Sequence, residues 1–203
     1  MRLLIWGAGA IGGTMAAYLA RAGHDVTMVD RVAEHVEAIN RGGLRIVCPA
    51  VSGITGPIAE FTATAPAFTP DAIQGRWETI ILATKAQHTE EATRSLAAHL
   101  TADGFVLSAQ NGLNELVISQ IVGRERTVGA FVNFGADYIE PGVIHYGGRG
   151  AVVLGELDGR ITPRVEALRR VLLDFDDRAV VTSNIWAICG ARRRMAPCSS
   201  PRR

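Results

Sequence analysis

The sequence predicts a doubly wound α/β fold, in which a mostly parallel sheet carries helices on both faces. Short apolar strands alternate with helical segments along most of the 203 residues. A glycine-rich turn follows the first strand, and an acidic residue follows the second. The composition, 48% hydrophobic and 20% charged with a net charge of +1, is that of a globular domain. It gives no electrostatic reason to expect nucleic acid or a membrane surface as a partner.

The first strand and helix carry the main motif. A strand over Leu3–Trp6 leads into the turn Gly7-Ala8-Gly9-Ala10-Ile11-Gly12, and a helix is predicted over 10–22. In such a turn the glycines allow a tight bend, close approach of a pyrophosphate and close packing of the helix, whose N-terminus faces the phosphates. These six residues are therefore predicted to bind a dinucleotide. A glycine-rich turn in another α/β protein, such as a methyltransferase, is the alternative.

The second strand, 26–29, ends at Asp30. An acidic residue about 20 positions after the glycine turn meets the ribose hydroxyls in dinucleotide-binding folds. The alternative is that Asp30 only caps the next predicted helix, 32–40. Arg31 beside it is expected to be solvated unless a 2′-phosphate binds.

Strands and helices continue to alternate after residue 40, and residues 44–69 look like short strands and loops. Glu140-Pro141-Gly142 is a turn, so the two strands after it are expected to extend the sheet in antiparallel fashion. The later predicted strands are 79–84, 105–109, 127–134, 143–146, 151–155 and 179–181, and the later predicted helices are 88–100, 113–122 and 164–173.

Five candidate residues follow the carboxyl ends of predicted parallel strands: Gly7, Asp30, Arg31, Lys85 and Asn111. Ligands bind at this edge in open α/β sheets. Taken singly, Lys85 is explained equally well as a surface residue and Asn111 as a turn former. Their convergence on one edge favours a binding site. Lys85 is also the single lysine among 21 Lys and Arg residues, so any role that needs an ammonium group falls to it.

The remaining features narrow the class of protein. The three cysteines, Cys48, Cys189 and Cys198, have neither the number for a disulfide framework nor the spacing for a metal site. No apolar run has the length of a membrane span, and the N-terminus lacks the pattern of a signal peptide. A cytoplasmic enzyme without a metal is the expectation.

Four segments together resemble the ketopantoate reductase (2-dehydropantoate 2-reductase) family. They are G-A-G-A-I-G at 7–12, A-T-K-A at 83–86, S-A-Q-N-G at 108–112 and E-P-G-V-I-H-Y-G-G-R-G at 140–150, and the similarity covers residues 1 to about 186. The resemblance implies a Rossmann-type fold and NADPH-dependent reduction of 2-dehydropantoate to pantoate, or of a related 2-keto acid. NADP is the implied cofactor and NAD the alternative, and the oligomeric state stays open.

The resemblance also implies residue roles. Lys85 corresponds to a lysine near the cofactor, and Asn111 to an asparagine that meets both cofactor and substrate. Gly135 lies in a loop whose backbone approaches the cofactor. Arg31 corresponds to the residue that pairs with the adenosine 2′-phosphate, whereas Asp30 beside it repels that phosphate and favours a ribose diol.

The chain departs from the family pattern after Trp186. The family continues into a helical domain with a lysine that protonates the substrate carbonyl, but residues 187–203 contain no lysine, no helical periodicity and five arginines. We expect a Rossmann domain over 1–182 and an aberrant basic tail over 183–203, with no catalytic proton donor. Such a chain should bind cofactor with little activity. A stand-alone NAD(P)-binding module, acting as a sensor or regulatory subunit, is the alternative.

A shifted reading frame or a premature end would explain this departure. Plausible GC-rich codons for residues 187–202, read from the third base, encode Asp-Leu-Trp-Gly-Lys-Thr-Ala-Tyr, which resembles the family's continuation and includes its lysine. We therefore predict that an alternate frame of the gene encodes this segment. Sequencing the gene tests the prediction, and its absence from both alternate frames would exclude a frame shift.

Overall fold

A computed structural model describes residues 1–48 and 59–191 of the protein. Single-turn 3₁₀ helices cover Ala86–His88 and Arg124–Arg126. The other elements, in chain order, are β1 (Arg2–Trp6), α1 (Ala10–Arg21), β2 (Asp25–Val29), α2 (Ala33–Gly42), β3 (Leu44–Val47), β4 (Phe61–Ala63), β5 (Ala67–Phe68), β6 (Trp77–Leu82), α3 (Thr89–Ala97), β7 (Leu100–Ser108), α4 (Glu115–Val122), β8 (Thr127–Glu140), β9 (Val143–Glu156), α5 (Pro163–Leu172), β10 (Val180–Val181) and α6 (Ile185–Ala191).

The ten strands of the described residues form one sheet. Strands β5, β2, β1, β6, β7 and β8 lie side by side in that order and are all parallel, which is the doubly wound Rossmann arrangement. Strand β9 is antiparallel to β8, β3 and β10 run parallel to β9, and β4 is antiparallel to β3. The predicted mostly parallel sheet with an antiparallel extension is confirmed.

The sheet is covered on both faces because its central strands are apolar on both sides. Successive side chains of a strand point to opposite faces. Leu3 and Ile5 accordingly join the core beneath α1, α2 and α5, whereas Leu4 and Trp6 join the core beneath α3 and α4. None of the helices in the described ranges combines the length and apolarity needed to cross a membrane.

Most element boundaries differ from the sequence prediction by one or more residues, and two of the differences concern β9 and the start of β7. The separate strands predicted over 143–146 and 151–155 are one strand, β9, because pairing with β8 continues between them: Gly148 lies opposite Gly135 across a bulge. At Gly150 a β-carbon would lie 1.4 Å from the Asn133 carbonyl oxygen, so only glycine allows this close pairing. The predicted helix 88–100 ends at Ala97, and residue 100 already pairs with β6 as part of β7.

A short helix, α6, begins where the sequence shows no helical periodicity. Ile185 and Cys189, one turn apart, are buried together with Leu157. The Trp186 indole N–H donates to the Leu157 carbonyl at 2.9 Å, and at Gly129 a β-carbon would lie 2.9 Å from Ile185 Cγ1. The start of the expected tail therefore packs on the domain as a helix, while the arginine-rich residues 192–203 lie outside the described residues.

Glu115 is a buried carboxyl close to α6. Its side chain is 1% exposed, and neither carboxyl oxygen has a hydrogen-bond partner among the described residues. Burial raises its pKa above the ordinary value of 4.5, and its own backbone N–H and the nearby Ser108 hydroxyl oppose this only in part. Burial, and secondarily the charge of Glu115, raise the pKa of the Cys189 thiol to about 12.

This buried carboxyl makes stability depend on pH. Because the folded pKa exceeds the unfolded one, the free energy of unfolding should fall as pH rises from 4.5 through the raised folded pKa, and then level off. We predict that Glu115→Gln removes this fall, so that the variant gains stability relative to wild type as pH rises from 4.5 towards 8. Urea unfolding across this range measures it, with the exposed Glu91→Gln as control. Equal pH slopes in Glu115→Gln and wild type would contradict the prediction.

Candidate functional site

The glycine-rich turn after β1 is held by backbone geometry that requires glycine. Gly7 has φ +100°, and a β-carbon there would lie 2.8 Å from the Thr84 backbone nitrogen. The N–H groups of Gly7 and Ala8 both donate to the Val29 carbonyl at the end of β2, at 2.8 and 3.1 Å. The turn is thereby fixed against both neighbouring strands.

Helix α1 approaches the sheet so closely that its first turn admits no side chains at two positions. A β-carbon at Gly12 would lie 2.0 Å from the Gly7 carbonyl oxygen. At Gly13 it would lie 2.4 Å from Ile144 Cδ1, on the antiparallel extension. The first turn of α1 is therefore wedged between the glycine turn and β9.

Unlike the other glycines of the turn, Gly9 is not required by backbone conformation or by close packing. Its φ of −69° suits any residue, and nothing lies within 4 Å of a β-carbon built there. Helix α1 begins directly after Gly9 without a side-chain cap or an acidic residue in its first turn. The first N–H groups of a helix lack intrahelical partners and carry partial positive charge. The open space in front of Gly9 is therefore suited to an anion such as a phosphate.

The structure brings most of the sequence-predicted residues to one edge. Strands β1, β2, β6 and β7 are parallel neighbours, so Gly7, Asp30, Lys85 and Asn111, which follow their carboxyl ends, share that edge. Lys85 and Asn111 are exposed there. Gly135 differs, because it lies within β8 rather than in a loop, exposed in the part of the strand beyond the segment that pairs with β7.

The segments that carry Lys85 and Asn111 are joined by Gln110. This side chain is buried, and its amide nitrogen donates to the Thr84 carbonyl at 2.8 Å and to the Thr89 hydroxyl at 2.9 Å. Its amide oxygen, equally buried, has no hydrogen-bond partner among the described residues. The residues that precede Lys85 and Asn111 are thus connected directly.

Two further side chains complete this connection, which we call the Gln110 clamp. The Thr89 hydroxyl donates to the Ala86 carbonyl at 2.8 Å and lies 3.2 Å from the side-chain oxygen of Asn114. The Asn114 amide in turn donates to the Asn111 carbonyl at 2.9 Å. Lys85 and Asn111 are therefore positioned relative to each other by buried side chains that themselves stay outside the exposed edge.

His35, fully buried on α2, ties the glycine turn to the antiparallel hairpin. The N–H of Gly142 at the hairpin tip donates to His35 Nδ1 at 3.0 Å, so Nδ1 carries no proton. Nε2 therefore carries the proton and donates to the Ala8 carbonyl at 2.9 Å. One imidazole thus satisfies a carbonyl of the turn and an amide of the hairpin, which lie far apart in sequence.

The sequence predicts the residues that share this edge but not the residues that position them. A G-x-G-x-x-G turn and polar residues at strand ends are visible as patterns. His35 gives no such signal, since its partners are backbone groups of distant residues. Gln110 was visible only as part of the Q-N-G segment, and nothing in its spacing indicated the bonds to Thr84 and Thr89.

Comparisons with known proteins agree with this geometry. Residues 3–159 match the family described as ketopantoate reductase PanE/ApbA. The chain is similar to 2-dehydropantoate 2-reductase of Pyrococcus horikoshii, with 39% identity over 92% of this chain and 59% of that protein. It therefore spans less than two thirds of the length of that relative.

Solved structures of related reductases and dehydrogenases are also similar to this chain. The chain is similar to D-mandelate dehydrogenase in a ternary structure with NADH and anilino(oxo)acetate, at a TM-score of 0.83 and 26% identity, covering 95% of this chain and 60% of that one. It is also similar to a 2-dehydropantoate 2-reductase structure from Enterococcus faecalis, at a TM-score of 0.78 and 27% identity, with the same coverage of 95% and 60%.

The two hydrogen bonds of His35, to the Ala8 carbonyl and the Gly142 N–H, lead to a prediction about stability. We expect His35→Phe to lower the free energy of unfolding by about 2–4 kcal/mol, because it leaves the Ala8 carbonyl and the Gly142 N–H buried without partners, at about 1–3 kcal/mol each. Denaturant unfolding measures this loss, and hydrogen exchange should show faster exchange of the Gly142 amide. His145→Phe, which removes only an outer contact to Asp137 at 3.5 Å, is the matched control and should cost less than about 1 kcal/mol. An equal loss of unfolding free energy in the two variants would refute the stabilising role of the His35 hydrogen bonds.

Proposed function

This chain belongs to the ketopantoate reductase PanE/ApbA family, and we propose that it forms the dinucleotide-binding half of an NAD(P)H-dependent 2-keto acid reductase. The observation that carries the proposal is the open space at Gly9, framed by a turn that requires glycine at Gly7 and Gly12. This cradle fits a pyrophosphate, which would lie against the first turn of α1. A nicotinamide dinucleotide bound there supplies the hydride for reduction of a carbonyl.

The proposed roles of the other residues follow from their positions along the edge. Residues 7–12 hold the pyrophosphate, and Asp30, at the end of β2, faces the ribose. Lys85 and Asn111, held together by the Gln110 clamp, lie on the opposite side of β1 from Asp30 and face the nicotinamide end. Asn111 also binds the substrate. Gly135 lines the cofactor with backbone rather than a side chain.

The proposed substrate is a small 2-keto acid, with 2-dehydropantoate favoured by the family and by the names of the relatives. The similarity to D-mandelate dehydrogenase supports keeping other 2-keto acids in this class. The resemblance implies NADP as cofactor through Arg31, whereas Asp30 beside it favours NAD. Because these two residues favour different cofactors, the cofactor proposed here is a nicotinamide dinucleotide, either NAD or NADP. The proposed location is the cytoplasm.

A polypeptide of these 203 residues is proposed to bind the dinucleotide with little turnover. Its single lysine, Lys85, is assigned to the cofactor, so no lysine is left to protonate the carbonyl oxygen. General acid catalysis contributes about 10²–10⁴-fold to rate, and that factor would be missing. The division into a Rossmann domain over 1–182 and a terminal segment over 183–203 belongs to the same proposal.

Gly9 allows a test that separates binding from folding. We predict that Gly9→Val lowers the free energy of unfolding by no more than about 1 kcal/mol, because its β-carbon enters open space and the remaining cost is that of a weaker helix N-cap. The same side chain should weaken NADH and NADPH binding by about 10–100-fold, because it fills the space proposed for the pyrophosphate. Dissociation constants come from the change in nicotinamide fluorescence on binding.

The matched control is Gly42→Ala, at the end of α2, where a β-carbon also meets nothing within 4 Å. It should leave binding unchanged and raise the free energy of unfolding by no more than about 1 kcal/mol, because alanine favours the helix more than glycine does. A folded Gly9→Val protein that binds as well as wild type would refute the proposed site. Oxidation of NADH or NADPH with 2-dehydropantoate at rates typical of enzymes would refute the proposed lack of turnover. The C-terminal half of a full-length relative can also be added to the chain. If the chain binds cofactor and this half restores no turnover, a sensor or regulatory module is favoured instead.

A further inference from the structure

The end of β2 carries a group of four side chains that we call the β2 corner: Asp30, Arg31, Glu34 and Tyr138. Asp30 is half-buried, and its Oδ1 accepts a hydrogen bond from the Val32 N–H at 3.0 Å. This bond fixes the carboxylate where the chain leaves the sheet. Its second oxygen, Oδ2, accepts no hydrogen bond from the residues that the structure describes, and is available to a ligand.

Tyr138 reaches this corner from the antiparallel hairpin. Its ring packs edge-on against His35, with ring centroids 5.0 Å apart. The pKa of Tyr138 is raised, first by partial burial and then by the negative charges of Asp30 and Glu34. Asp30, directly after β2, and Glu34, in the first turn of α2, thus both act on the Tyr138 hydroxyl through their charges. The corner is thus acidic on its α2 side and is bounded by the hairpin on the other.

Arg31 does not neutralise these carboxylates. It is exposed, and within the described residues it forms no ion pair with Asp30 or Glu34. One guanidinium against two carboxylates leaves the β2 corner with a net charge of −1. The 2′-phosphate of NADP adds about −1.5 to −2 charges at neutral pH. The ribose of NAD presents two hydroxyl donors there instead.

We propose that the β2 corner makes this chain selective for NAD(H) over NADP(H), with Asp30 accepting hydrogen bonds from the ribose hydroxyls and Asp30 and Glu34 together disfavouring a 2′-phosphate. This rests on the proposed function, since it needs a dinucleotide lying along the glycine turn. It reverses the NADP preference that the resemblance implies through Arg31. Hydrogen bonds to a charged acceptor are stronger than neutral ones. Asp30 is already held by the Val32 N–H, which lowers the entropic cost of ordering it on binding.

Binding of the two reduced cofactors tests the proposal without any turnover. Dissociation constants for NADH and NADPH are measured by nicotinamide fluorescence on the full 203-residue chain at low ionic strength. NADH should bind about 10–100-fold more tightly than NADPH. The difference should shrink as salt is added, because part of it is charge repulsion that ions screen.

Two substitutions assign the selectivity to its residues. Asp30→Asn keeps an oxygen for the Val32 N–H but removes the charge, and should weaken NADH binding about tenfold while NADPH binding is unchanged or tighter. Glu34→Gln, on the surface of α2, should tighten NADPH binding about threefold to tenfold with NADH binding unchanged. Glu37→Gln, also exposed on α2, is the control and should shift the ratio of the two constants by less than about twofold.

The outcomes separate this inference from the proposed function. Equal affinities, or tighter NADPH binding, would overturn the NAD selectivity and leave the dinucleotide site standing. Binding of neither cofactor to the folded chain would overturn both. An unchanged ratio in Asp30→Asn and Glu34→Gln would overturn the assignment to the β2 corner. Because Glu34 is exposed and makes no hydrogen bond that holds the fold, its variant remains informative if Asp30→Asn unfolds.

Discussion

The contact between helix α1 and the sheet at Gly12 is the constraint on which the rest of the structure depends. A single added carbon there would meet the Gly7 carbonyl oxygen at 2.0 Å, so the helix can start only where it does. That position fixes the turn around Gly7 and leaves the space at Gly9 open. It also brings Gly13 against Ile144, so the antiparallel extension can pack on α1. One close approach therefore sets both the open space at Gly9 and the packing of the hairpin that lies beside it.

The hairpin of β8 and β9 is more than an extension of the sheet, because its tip returns to the site. His35 accepts from the Gly142 N–H and donates to the Ala8 carbonyl, which joins the tip to the glycine turn through one buried ring. The same ring packs against Tyr138, and the charge of Asp30 acts on the hydroxyl of that tyrosine. The electrostatics of the β2 corner thus depend on a strand pair that is remote from it in sequence.

The sequence predicts the parallel half of the fold well and the polar connections poorly. Strand β1 and helix α1 follow from an apolar run and a glycine pattern, both of which are local signals. The continuity of β9 through Gly148 was not predictable from composition, because it depends on pairing with Gly135 across the hairpin. The partners of Gln110, Thr84 and Thr89, likewise lie 26 and 21 residues earlier in the chain, so no local pattern indicates them. Helix α6 is stabilised by burial of Ile185 against other elements, which overrides its weak periodicity.

Binding a dinucleotide and delivering a proton place different demands on a protein. The hydrogen bonds of the glycine turn, the Gln110 clamp and the β2 corner are all made among residues 7–142. Their geometry is set by the fold before a ligand arrives, which lowers the entropic cost of binding. Proton transfer additionally needs an acid within hydrogen-bond distance of the carbonyl oxygen, and preorganised backbone and amide groups do not supply one. Under the proposed function, this part of the chain therefore selects the dinucleotide and sets where its reactive end lies, rather than how fast a keto acid is protonated.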